Sequence, residues 1–116
     1  AAKVVPASRF GVGNIVGKRG GKELKRAFQL SQSGDHEPAL RDFVAAWKLA
    51  NELEVKQRIA YTMLLQWKQP CVDLNRDLCR ASWLDETLAE IEATAEELQL
   101  SGDDYFNMGY ILQSRR

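Results

Sequence analysis

Only one histidine, two cysteines and three prolines occur among the 116 residues, and each scarcity narrows the range of functions. The single histidine, His36, sits beside residues that cap a predicted helix, which suits a capping environment better than a general base. No cluster of Cys, His and carboxylates has metal-ligand spacing. No metal, no cofactor and no enzymatic activity are therefore expected. Long apolar runs are also missing. The longest, such as Met63-Leu64-Leu65, fall far short of the roughly 20 residues of a membrane-spanning helix, so no membrane insertion is expected. No charged-then-apolar signal segment opens the chain, and a start at Ala1-Ala2 suits both methionine removal and trimming of a longer precursor.

The two cysteines, Cys71 and Cys79, fall on one predicted helix over residues 71–81. Eight residues of helix would set their Cα atoms about 12 Å apart at a rise of 1.5 Å. A disulfide needs less than about 7 Å, so the expectation is two small buried hydrophobes and no bridge. That pattern is read as intracellular, in a reducing compartment such as the cytoplasm or an organelle interior. Alternating β-branched runs long enough for a sheet are lacking as well.

What is present is the composition of one globular domain, 45% apolar and 28% charged, long enough to build one core without staples. The formal charge is zero, but it is polarised. Residues 1–26 hold seven bases against one acid (Glu23), and residues 85–116 hold eight acids against two bases. Such polarity serves a basic arm for an anionic partner, pairing of opposite ends within or between chains, or two solvated ends.

Pro6 and the glycines at 11, 13, 17, 20 and 21 oppose a helix in residues 1–21, which are read as an extended, basic, Gly-rich arm. Its apolar residues, Phe10 and Ile15 among them, suggest a segment laid on a surface. The arm is expected to be dispensable for folding and needed for binding. Residues 22–116 are read as a single helical domain. Leu24, Ala27 and Phe28 share one face, and Gly34 then supplies a stop. Asp35 caps a second helix with the stripe Leu40, Phe43, Val44, Trp47 and Ala50. A third helix over 54–69 is apolar across a wide arc, which predicts the central position, and Pro70 ends it. The helix over 71–81 offers Leu74 and Leu78. Ser82 and Asp85 resemble a capping box opening a fifth helix with the seam Leu84, Leu88, Ile91, Ala95 and Leu98. After Ser101-Gly102 a last helix aligns Tyr105, Met108, Gly109 and Leu112. The fold class expected is all-α, a compact bundle or array of about five to six helices with an extended amino-terminal arm.

The run Gly34 to Ala46 resembles the second helix of a tetratricopeptide repeat: a Gly-Asp turn, then Ala39, Phe43 and Ala46 in a small–aromatic–small spacing, with Ala27 at the small position of the preceding helix. Glu23, Leu30 and Asn51 depart from that pattern, and one period of 34 residues on stand Asp73, Asp77 and Arg80. The resemblance thus covers one repeat and implies a close-packed helical hairpin, where an array needs about three units. Gly17 to Gly20 has the form of the Gly-x-x-Gly loop with which K-homology domains clamp RNA backbones, but that fold's strands have no candidates here.

These features point to a non-enzymatic protein–protein interaction module, an adaptor or accessory subunit whose partner is another protein with an acidic or apolar surface. The basic candidates for partner binding are Lys18, Arg19, Lys22, Lys25 and Arg26, and the candidate apolar anchors are Phe10 and Trp83, the one tryptophan off its helix's stripe. The alternative is a small nucleic-acid-binding regulator using the same cations. A homo-oligomer formed by pairing the basic arm with the acidic end is a further option.

Overall fold

The computed structural model describes Ile15 and residues 17–74 and 76–116. Among the described residues the chain forms α1 (Gly21–Gln32), α2 (His36–Leu49), α3 (Leu53–Gln69), a π-helical turn (Pro70–Leu74), α4 (Arg76–Cys79), a 3₁₀ turn (Ser82–Leu84), α5 (Asp85–Ala93) and α6 (Gly102–Ser114), with no strand. The protein is an all-α helical bundle. Helix α3 is central, as its wide apolar arc predicts. Val55, Ile59, Ala60, Met63, Leu64 and Trp67 are all buried, and α3 packs against α1, α2 and α6. Neighbouring α1 and α2 form the most intimate pair, and Ala27, Ala39, Phe43 and Ala46 are buried there.

The α1–α2 connection follows from one residue. Gly34 adopts φ +84°, and the Asp35 and Gly34 amides donate to the carbonyls of Leu30 and Ser31 at 2.9 and 3.1 Å, which is a Schellman motif. Asp35 is the N-cap of α2 in position, but its side chain makes no capping bond. A second Schellman motif closes the helical turns after α5. The Leu100 amide reaches the Ala95 carbonyl at 3.3 Å and the Gln99 amide reaches that of Glu96 at 3.0 Å, with Leu100 and Ala95 both buried. Here Gln99, not glycine, holds φ +57°. A side chain in that region costs about 1–2 kcal/mol, so Gln99→Gly is expected to raise the unfolding free energy by about 0.5–1 kcal/mol after the extra freedom of glycine in the unfolded chain. Urea denaturation reads this directly. A midpoint that falls would show that the Gln99 side chain contributes more than its backbone costs.

Four expectations are corrected by the packing. First, the chain does not run as one helix through Cys71 and Cys79. The π turn at Pro70–Leu74 and the short α4 reverse it, bringing the two Cα atoms to 4.9 Å with the sulfurs joined as a disulfide. The helical rise that ruled out a bridge never applies, and the reducing-compartment reading loses its basis. No described helix is long and apolar enough to cross a membrane.

Second, Ser82 and Asp85 form no capping box. Residues Ser82–Leu84 are a 3₁₀ turn, and α5 starts at Asp85 without a side-chain cap. The capping box lies at α6, where the Ser101 amide donates to Asp104 Oδ2 at 2.7 Å and the Asp104 amide to Ser101 Oγ at 3.3 Å. Third, that box sets the rotation of α6. Its buried face carries Asp104, Asn107, Met108 and Ile111, while Tyr105 and Gly109, expected inside, face outward.

Fourth, the packed domain begins upstream of Lys22. Ile15 is 0% exposed within the core cluster, and its carbonyl accepts the Lys18 amide at 2.9 Å. Gly20, at φ +89°, lies so close to α2 that a Cβ there would stand 2.7 Å from the Ala46 carbonyl oxygen. Residues 1–14, and with them Phe10, lie outside the described residues.

Candidate functional site

Chain reversal at residues 17–21 sets Lys18 and Arg19 against the α2–α3 corner, while Lys22, Lys25 and Arg26 ride on α1. Lys18 Nζ lies 3.0 Å from Glu52 Oε1 and 3.4 Å from Glu54 Oε2. The Glu52 hydrogen bond, then the charges of Glu52 and Glu54, raise the Lys18 ammonium above its ordinary pKa. The Arg19 guanidinium donates from Nε to the Leu49 carbonyl at 3.1 Å. Arg26 grips Asp42 with two bonds, Nε to Oδ2 at 2.7 Å and Nη2 to Oδ1 at 3.0 Å, which raise its pKa by hydrogen bonding first and charge second. Bidentate Arg–carboxylate pairs are the geometrically specific kind. Arg19, Lys22 and Lys25, three of the five candidates, stand exposed without an ion pair to the described residues, Arg19 holding only a backbone carbonyl. Three such cations on a duplex would give a log–log salt slope of about −2.7.

Trp83 is half-buried against the core, and the Arg41 guanidinium covers its ring 4.3 Å from the centroid. It is an edge aromatic held by its own chain. Trp47 is core, with its Nε1 donating to Glu90 Oε1 at 2.8 Å and so tying α2 to α5. Among the described residues no group of three or more His, Cys, Asp and Glu side chains is placed to hold a metal.

The aromatic surface lies elsewhere. Phe106 is 55% exposed and Tyr110 42%, one helical turn apart on α6. Their rings meet edge to face, with centroids 4.8 Å apart and planes at 66°. Lys68 of α3 sets its ammonium 4.8 Å from the Phe106 ring centre and 4.9 Å from that of Tyr110. Tyr105 and, one turn before Lys68 on α3, Leu65 are exposed as well. Exposed apolar residues scattered singly need no explanation, but a group on two adjoining helices does.

No family model, curated protein or solved structure matches the chain. The site must therefore be read from its own chemistry.

The stripe Tyr105, Met108, Gly109 and Leu112 leaves Phe106 and Tyr110 off the aligned face, but spacing alone does not single them out as a paired surface. The usable signal was Ser101 with Asp104 three residues on, which fixes the start and rotation of α6 and turns Phe106 and Tyr110 outward.

Proposed function

We propose that this chain is a non-enzymatic protein-interaction module, an adaptor or accessory subunit that docks a protein partner on the α3–α6 face. The observation that carries this reading is the exposed Phe106–Tyr110 pair capped by Lys68. Aromatic anchors supply large contact area at low conformational cost and dominate binding hot spots. The pairing of Lys18 with Glu52 and of Arg26 with Asp42 supports ranking a nucleic-acid regulator second, because it takes two of the five candidate cations away from a phosphate-binding surface.

Affinity purification from the native source, with and without nuclease, tests the reading when wild type is compared with Phe106→Ala. The expected outcome is a protein partner that survives nuclease and is lost in the variant. Retention that instead depends on nucleic acid, and disappears on changing Lys22 and Lys25 to Gln, would reverse the ranking.

A further inference from the structure

The aromatic pair is continuous with a groove at the end of α6, and the charges around the two are of one sign. Tyr110 belongs to both. It packs on Phe106 under Lys68, and it lines the groove together with Val72, Arg80, Gln113, Ser114 and Arg116. No Asp or Glu is among those lining residues. The nearest acid on α6 among the exposed residues is Asp103, a turn before Phe106 at the start of the helix.

The cations of this surface stand beside exposed rings and not on side-chain carboxylates. Lys18, Arg26, Arg41, Arg58 and Arg115 each sit on a carboxylate of the same chain. Lys68 has only rings beneath it, and Arg80 spends a bond on the Arg116 carbonyl at 3.0 Å. Neither these two nor Arg116 forms an ion pair with a described residue. The surface thus offers three cations and a pair of apolar rings, with no Asp or Glu side chain among the groove's described lining residues.

We propose that this surface, made of Lys68, Val72, Arg80, Phe106, Tyr110 and Arg116, binds an acidic peptide segment carrying an apolar or aromatic anchor. The anchor rests on Phe106, Tyr110 and Val72, and the flanking carboxylates meet Lys68, Arg80 and Arg116. Arginine favours this role because its planar fork matches a carboxylate. The proposal deepens the protein-interaction reading above and rests on it. A peptide suits the geometry better than single-stranded nucleic acid. Successive bases stack on ring faces set along one strand, whereas these two rings meet edge to face at 66°, a geometry that suits one apolar anchor better.

A displayed library of random 12-residue peptides, selected on the intact chain and counter-selected on Phe106→Ala, decides the matter. The selected pool is expected to be enriched in Asp and Glu around a Leu, Phe or Trp. The best peptide should bind about thirtyfold more weakly to Phe106→Ala, as for a hot-spot truncation. Its binding should also weaken with Lys68→Glu and Arg80→Glu, and with rising salt. Circular dichroism of each variant confirms that the fold is kept.

Neutral or basic selected peptides would overturn the acidic specificity while leaving the interaction reading intact. A pool indistinguishable from the counter-selected one would sink both. A 20-nucleotide poly-dT strand or anionic phospholipid vesicles that bind more tightly than any peptide, and lose binding in Phe106→Ala, would assign the surface to that other class. Self-association abolished by the same variant would assign it to a second copy of the chain, and the proposal would fall.

Discussion

Replacing Ile15 by alanine is expected to lower the unfolding free energy by about 3 kcal/mol, within the range of about 2–5 for truncating a buried isoleucine. The side chain is 0% exposed and belongs to the same core cluster as Leu24, Ala27, Ala46 and Ala50. Alanine would strip three carbons from a packed site whose neighbours are fixed by other contacts. Gly20 is seated on the Ala46 carbonyl, Lys18 is paired with Glu52, and Arg19 is bonded to the Leu49 carbonyl, so the segment has little freedom to collapse into the void. Ile15→Val, which leaves most of the volume, should cost only about 0.5–1.5 kcal/mol. Removal of residues 1–20 should be at least as damaging as Ile15→Ala, against the expectation that the whole arm is dispensable for folding. Urea titrations of the three variants give the ranking. An Ile15→Ala midpoint equal to wild type would return the segment to the status of a detachable arm.

The helices were legible wherever one apolar stripe and one stop signal agreed. In α2, Leu40, Phe43, Val44, Trp47 and Ala50 repeat at helical spacing, and all are buried. In α3, the wide apolar arc marked the central helix. The seam Leu84, Leu88, Ile91, Ala95 and Leu98 is buried throughout, even though regular α-helix in α5 ends at Ala93. Legibility failed where polar groups were satisfied locally. Asp104 turns inward because it closes the capping box with Ser101, and Asn107 is buried one turn later. With Asp104 and Asn107 inside and Tyr105 and Gly109 outside, the buried face of α6 is rotated from the stripe Tyr105, Met108, Gly109 and Leu112, of which Met108 is buried and Leu112 packs at the core's edge. The candidate site failed in the same way. Net charge by segment located the basic cluster, but nothing local to residues 18–26 announces that Glu52, Glu54 and Asp42 will pair with Lys18 and Arg26. Those pairings span 16 to 36 residues and exist only once α1, α2 and α3 have packed.

Severing the Cys71–Cys79 disulfide is expected to cost about 2.5 kcal/mol, the loop-closure entropy of a short ring of about eight residues. For a domain of this size that should lower Tm by roughly 10–20 °C. The segment it closes has few other means of holding its shape. It leaves α3 at Pro70, makes one π turn, and is helical again only over Arg76–Cys79. Beyond it, Arg115 at the end of α6 donates to the Cys79 carbonyl at 2.7 Å and the Ala81 carbonyl at 3.0 Å, and pairs with Asp85. The bridge and Arg115 therefore anchor the same reversal from opposite sides. Both cysteines are 0% exposed, so reductant reaches the sulfurs only when the reversal opens, and reduction should be slow in buffer and fast in mild denaturant. Cys71→Ala/Cys79→Ala should reproduce the reduced midpoint more closely than the serine pair, because serine would also bury two hydroxyls. Amide hydrogen exchange should show the loss of protection concentrated around residues 70–85, with the α1–α2 hairpin least affected. Alkylation of the denatured, unreduced chain is the direct check. Two freely modified thiols, or a melting midpoint indifferent to reductant, would mean that the reversal is held by Arg115 and core packing alone.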